Sequence, residues 1–213
     1  MIVSSPSAEV LVRRAPVAEE FTAGESNLLE AGAREAPLLT FNLARSQVVV
    51  RPLEWADVRA LEWHGGPDLR AFYEDQWVQH SSGLIYVLVA DFNRFPIGQL
   101  AIHWQGKPTH PAIPDVQSLR VFAAFQGLGI GTRLLQVSEK IVAEHGLRHV
   151  SLAVALHNEA ARRLYERLHY RMIGEPYVDT WEYTDAQGQL VRIQETVVDM
   201  VKSLEGARAD NNQ

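Results

Sequence analysis

The sequence predicts an α/β fold, a mixed sheet of about seven strands with four helices. Three observations predict it. Apolar runs of strand length, VVVRPL at 48–53, LIYVLVAD at 84–91 and HVSLAVAL at 149–156, are interleaved with helix-like segments. A strand-like run, VQSLRVF at 116–122, leads through the glycine-rich QGLGIGTR at 126–133 into a helix-like run and then another strand, which is the order of a parallel βαβ unit. Two long runs at 170–183 and 190–202 flank DAQGQ and read as a closing antiparallel hairpin.

Taken in order, residues 1–46 hold Ser, Pro, Ala and Glu without sustained periodicity and are expected to be a flexible or loosely docked extension. The folded domain is expected over 47–204, with a disordered tail at 205–213. Its first strand ends at Pro52, a residue suited to a strand end. Helices follow at 54–63 and 67–80, split by Gly65-Gly66-Pro67. Strands at 84–91 and 96–104 surround the turn FNRF, and a proline-rich loop, QGKPTHPAIP, precedes a fourth strand at 115–123. In that strand Leu119 and Val121 alternate, but Val116 lies on the opposite phase. A β-bulge absorbs such a slip, so one is expected near Gln117–Ser118, splaying strand 4 from its neighbour. The next helix carries Ile130, Leu134, Val137, Ile141 and Val142 on one stripe and stops at Gly146. Asn158 is placed to cap a last helix with Ala160, Ala161, Leu164 and Leu168 along one side.

Composition narrows the function classes. Hydrophobic residues make up 46% and charged residues 22% of 213 residues, values of an ordinary globular chain. The formal net charge of −6 argues against a nucleic-acid partner held by a basic surface. No apolar run is long enough for a bilayer and no apolar signal core opens the chain, so no membrane partner is expected. There is no cysteine, which excludes disulfides, a thiolate zinc site and a cysteine nucleophile. This fits a reducing, cytoplasmic setting, and a secreted protein without cysteine would look the same. No metal is expected.

The glycine loop suggests a phosphate ligand, because a helix N-terminus offers unpartnered N–H groups and glycines let oxygens approach them. A nucleoside-triphosphate loop of the form GxxxxGK[ST] would need a lysine that the segment lacks. A dinucleotide loop, GxGxxG, fails at its third position, which is Thr132. The run QGLGIGTRLL followed, after one strand, by NEAARRLYERLHY resembles the GNAT acetyltransferases (Gcn5-related N-acetyltransferases). Gln126, Gly129 and Gly131 fall on that family's Q/R-x-x-G-x-G/A loop, and Asn158, Ala161, Leu164 and Tyr165 on its later helix motif. The likeness covers about 48–203 and is strongest over 119–170. His169 and Tyr170 stand where the family has Gly and Phe, which is expected to change the turn after the helix. Gly127 stands where a basic residue is common, leaving Arg133 or Arg120 as helpers at the pyrophosphate.

The resemblance implies a GNAT-type fold and transfer of an acetyl group from acetyl-CoA to a small-molecule or peptide amine. It implies that the pantetheine arm pairs with Leu119 and Val121 like an added strand, beside Arg120. Gln126, Gly127, Leu128, Gly129, Ile130, Gly131 and Thr132 would then hold the pyrophosphate. The Val121 N–H is a candidate oxyanion donor. Tyr165 is the candidate acid for the departing thiolate, the other reading being a packed helix tyrosine. Asn158 bonds the pantetheine, caps the helix, or does both. Asp115 is the candidate base, acting through water, or else a solvated turn acid; His103 and Glu74 are further candidates. Trp63, His64, Phe72, Tyr73, Trp77 and Tyr177 are candidates to line the acceptor site, and Glu74, Asp75 and Asp179 to attract a cationic amine. A homodimer through the C-terminal strands is compatible with the pattern. Two other readings stay open: a non-catalytic acyl-CoA-binding sensor, and a nucleotide-binding oxidoreductase, which lacks a ribose-binding acid after strand 5.

Overall fold

The structure, a computed structural model, describes residues 47–63 and 66–204. The expectations for 1–46, for 205–213 and for His64 lie outside the described residues. Seven strands form one sheet in the order β1-β2-β3-β4-β5-β7-β6. They are β1 (Val48–Pro52), β2 (Ile85–Phe92), β3 (Phe95–His103), β4 (Asp115–Val121), β5 (His149–Ala155), β6 (Arg171–Thr184) and β7 (Leu190–Ser203). Only β4 and β5 are parallel. The helices are α1 (Trp55–Ala60), α2 (Arg70–Ser81), α3 (Ile130–Glu144) and α4 (Glu159–Arg167).

Both early helices are shorter than their periodicity predicts. Three-ten turns at Leu61–Trp63 and Gly66–Leu69 take over where Pro67 and the glycines cannot sustain an α-helical ladder. Arg51 fastens this region to the sheet. Its guanidinium meets Asp57 of α1 at 2.7 Å and Asp91 of β2 at 2.6 Å. The FNRF turn is a two-residue hairpin in which Asn93 and Arg94 both have positive φ, 52° and 65°, matching the twist of β2 and β3.

Alternation sorts the sheet into two cores. Leu88, Leu100, Ile102, Val116, Leu152 and Met200 pack under α3 and α4 with Leu134, Leu135 and Val142. Val87, Val89 and Ala101 face α1 and α2, meeting Val58, Leu61 and Tyr73. The α3 stripe is rotated slightly from the expected one. Leu135 and Ser138 are fully buried, while Val137 and Ile141 are half-buried at its margin.

The fault in strand 4 is real. Ser118 has φ 54°, and the β3–β4 register slips between Gln117↔Ala101 and Arg120↔Gln99. On its other side β4 pairs with β5 only at Asp115↔Ser151 and Val116↔Leu152. From the bulge onward the two strands are apart. The turn after α4 differs from expectation. His169 takes the left-handed conformation itself, φ 68°, with Tyr170 N–H donating to the Tyr165 carbonyl at 2.9 Å. The geometry that glycine would give is kept, at the steric cost of a Cβ in that region. Because the His169 side chain is exposed, His169→Gly is expected to raise stability by about 1 kcal/mol and the thermal midpoint by about 2–4 °C, measured by calorimetry.

Candidate active site

Strand β4 supplies the floor of the site. Phe122 N–H donates to the Ile97 carbonyl of β3 at 2.7 Å. Successive N–H groups along a strand point to opposite edges, so those of Leu119 and Val121 point away from β3, into the gap toward β5. The Leu119 and Val121 side chains line a pocket of about 520 Å³ at that gap. Its other walls are Phe125 to Gly127, the start of α3 from Gly129 to Thr132, and Ala160, Ala161, Leu164 and Arg167 of α4.

The glycines divide into two kinds. Gly127 and Gly129 have φ of 77° and 81°, and nothing lies within 4 Å of a Cβ built on either, so they serve the loop's left-handed turns. Gly131 lies in the first turn of α3, and a Cβ there would meet only Val121 Cγ2, at 3.8 Å. Nothing among the described residues forbids a side chain at Gly131, and its absence leaves the pocket open. Arg133 N–H, bonded to the Gly129 carbonyl at 3.0 Å, begins the α3 ladder, and no side chain among the described residues caps the helix. The N–H groups of Ile130, Gly131 and Thr132 are thus free of helical partners at the positive end of the dipole. Gln126 braces the loop by donating to the Val121 carbonyl at 3.0 Å. These features fit a pyrophosphate joined to an extended chain with amide groups.

Several predicted residues lie elsewhere. Leu128 is 71% exposed and is not part of the pocket wall. Arg133 is exposed and turned to Gln136 at 3.0 Å. Arg120 lies on the opposite face of the sheet, its guanidinium 3.3 Å from the Tyr73 hydroxyl and over the Phe72 ring. The slip at Ser118 puts Arg120 on that face. The basic side chain at the pocket is instead Arg167, which sequence reasoning passed over, although it follows Ala160, Ala161 and Leu164 at helical spacing.

Asn158 caps α4, its Oδ1 accepting from Ala161 N–H at 3.1 Å. Tyr165, one turn beyond Ala161, is 1% exposed and packs against Tyr170 with ring centroids 5.9 Å apart. Burial raises its pKa well above the usual tyrosine value, so the hydroxyl holds its proton. It is not among the residues lining the pocket.

Asp115 is fully buried rather than a solvated turn acid. It accepts from Ser151 Oγ at 2.8 Å and Gln117 Nε2 at 3.0 Å. Lys107, carried in from the proline-rich loop, lies 3.7 Å from Asp115 and 2.6 Å from Asp199 of β7. Tyr177 joins them, donating to Asp199 at 2.9 Å; burial pushes its pKa up to about 12. Burial alone would lower the Lys107 pKa, but Asp115 and Asp199 outweigh it and the net shift is upward. His103 is pushed down to about 4 by burial, so its imidazole is neutral. Glu74 and Asp75 are on the solvent side of α2, while Tyr73 and Gln76 face the sheet. Trp63 donates to the Pro96 carbonyl at 2.6 Å, and Trp77 packs on Trp55 and His80, both in structural contacts. Sequence reasoning missed Lys107 and Asp199, which are 92 residues apart and share no local signal.

Comparison with known proteins agrees with this geometry. Mycothiol acetyltransferase of Paenarthrobacter aurescens (strain TC1) is 33% identical over 101 residues, 47% of this chain; the chain spans about a third of that relative's length, 31%. Among solved structures, an N-acetyltransferase from Staphylococcus aureus Mu50 superposes with TM-score 0.58 at 15% identity, over 75% of this chain and 100% of the other. The yncA structure from Salmonella typhimurium, with its cofactor acetyl-CoA, gives TM-score 0.54 at 16% identity, over 78% and 99%. At such identities these two show a shared fold. The model of the acetyltransferase (GNAT) family matches residues 50–170, more than half of the chain, and the chain belongs to that family.

Proposed function

We propose that this protein transfers an acetyl group from acetyl-CoA to a primary amine by direct attack. The observation that carries the reading is the half-paired β4, whose free edge runs into an uncapped helix N-terminus. An extended pantetheine needs the first and a pyrophosphate needs the second. Leu119 and Val121 would pair with the amide-bearing arm. Gln126, Gly127, Gly129, Ile130, Gly131 and Thr132 would surround the diphosphate, with Arg167 as the nearby cation. Asn158 caps α4 and so steadies the opposite wall.

When bound, acetyl-CoA supplies the thioester. The amine nitrogen forms the new N–C bond as the C–S bond breaks. The Val121 N–H, on the open edge, is suited to meet the negative charge that develops on the carbonyl oxygen. Asp115 would take the proton lost by the amine, through water, from the face that carries Lys107 and Asp199. Tyr165 would give its proton to the departing thiolate. Burial keeps its hydroxyl protonated.

Three measurements test this. Acetyl-CoA at one hundred times its dissociation constant is expected to add ~2.7 kcal/mol, a thermal shift of roughly 5–10 °C, while NAD gives none. A protein that melts identically with and without acetyl-CoA would lack the site. Tyr165→Phe is expected to lower kcat by roughly 10²–10⁴-fold with the acetyl-CoA shift intact, followed by thiol release. Full turnover by that variant would remove Tyr165 from the mechanism, whereas a protein that binds acetyl-CoA and acetylates no amine is a binding module. Gly131→Ala is expected to stabilise the ligand-free protein by about 0.5–1 kcal/mol, since alanine favours the helix, and yet to shrink the acetyl-CoA shift. A shift of undiminished size would show that the ligand stays clear of this turn.

A further inference from the structure

Asp115 is fully buried, and a base that takes a proton in every turnover must also pass one on. Of the groups that touch it, Ser151 is fully buried too, and Gln117 presents an amide, which carries no proton onward. His103 is opposite Asp115 in the β3–β4 register, but burial pushes its pKa down to about 4 and makes it a poor carrier. Lys107 is different. Its ammonium is 3.7 Å from Asp115 Oδ1 and 2.6 Å from Asp199 Oδ1, with the Tyr177 hydroxyl at 3.2 Å. The other oxygen of Asp199 turns to the same loop, with Thr109 Oγ1 and His110 Nε2 each at 3.5 Å. His110 Nε2 is buried and has no hydrogen-bond partner among the described residues, while Thr109 and Pro111 on either side of it are exposed. Asp115, Lys107, Asp199 and His110 therefore run in sequence from the buried carboxylate to the surface.

The row is built to move a proton as well as to hold a loop. The loop is stiff. His110 N–H donates to the Lys107 carbonyl at 2.9 Å, and a Cβ on Gly106 would collide with the His110 and Ile113 carbonyls, so one tight turn presents both side chains to Asp199. The charge is unbalanced. Two carboxylates face one ammonium, which leaves a place for one more proton. The cation is of the kind that can let a proton go. Lysine makes up three of the chain's 20 basic residues, and an arginine, the usual choice here, could not be deprotonated. We infer that Lys107, Asp199 and His110 carry the proton from Asp115 to solvent. The amine gives its proton through water to Asp115. Asp115 passes it to Lys107 as Lys107 gives one to Asp199, so the ammonium keeps its charge. Asp199 hands it to His110, histidine being the side chain suited to proton exchange near neutral pH. His110 releases it to water, and every group returns to its starting state. Catalytic hydrogen bonds commonly tighten from gaps such as these 3.5–3.7 Å when substrate binds. This rests on the acetyltransferase reading and deepens it.

The test uses the full chain with acetyl-CoA and the best of three acceptors, spermidine, glycinamide and propylamine, followed by thiol release at low buffer concentration. His110→Gln keeps a group that can bond Asp199 but cannot carry a proton. His110→Ala leaves room for imidazole from solution. Both are expected to lower kcat by about tenfold or more without a matching rise in KM, and imidazole is expected to restore His110→Ala and leave the wild type unchanged. Lys107→Arg keeps the charge between the carboxylates and is expected to lose a similar factor that imidazole does not return. Melting curves identify any variant whose loss comes from unfolding; if Lys107→Arg does not fold, the two His110 variants decide. Full turnover by His110→Gln or by Lys107→Arg would overturn the inference. So would a loss in His110→Ala that imidazole leaves as it is, since the histidine would then act only as a structural contact. Full turnover by Asp115→Asn sinks the base and this inference and leaves acetyl transfer standing; no thiol release by the wild type with any of the three amines sinks the acetyltransferase reading and this one together.

Discussion

The incomplete pairing of β4 is the constraint on which the rest of the molecule depends. Two rungs hold it to β5 before the strands part. An open strand edge inside a sheet is ordinarily a liability, because its N–H and C=O groups have no partners. Here the defect is produced by one residue, Ser118, held at φ 54°. The bulge turns the Leu119 and Val121 side chains into the pocket and sends Arg120 to the far face. The pocket and the Arg120–Tyr73 contact thereby lie on opposite faces of one strand.

What surrounds the gap follows from the need to keep it open. Helix α3 is fixed by Leu134, Leu135 and Val142, well past its first turn, so its N-terminus can stay uncapped without loosening the helix. Helix α4 covers the pocket with small residues, Ala160 and Ala161, while Tyr165 anchors it in the core below. On the far face Lys107 sits between Asp115 and Asp199 and ties the proline-rich loop to β4 and β7 together. A buried cluster of this kind adds little net stability, since desolvation offsets the attraction, but it fixes position. It holds the two halves of the sheet in register where the backbone rungs end.

Much of this was legible in the sequence because it is local. The phase conflict between Val116 and Leu119 is a matter of counting within one strand, and it located the bulge. The alternating glycines, the cap at Asn158 and the FNRF turn are likewise short-range rules of backbone conformation. What could not be read depends on which face a residue takes after the bulge, or on partners distant in the chain. Arg120 seemed close to the phosphate loop because it precedes it by a few residues, but the pleat carries it away. Asp115, the candidate base, could equally be read as a solvated turn acid because it follows Pro114, and only the return of β7 and the intervening loop encloses it. His169 shows a third limit. The glycine rule for helix ends states a preference worth about 1 kcal/mol, and tertiary packing of Tyr170 overrides it.

The parting of β4 and β5 has a mechanical consequence as well. Between β4 and β5 the backbone of the sheet is joined by two rungs and a salt-bridged cluster. The two sides share one core beneath α3 and α4, where Leu88 and Leu100 pack with Leu152, Val154 and Met200, so the seam is a break in backbone pairing alone. A ligand lying in the seam would lend its amides to both sides and act as an interior splice. The ligand-free protein is then the looser object, with amide protons along the seam exchanging early. Saturation would add rungs across the seam, coupling occupancy to the rigidity of β4 beyond its bulge.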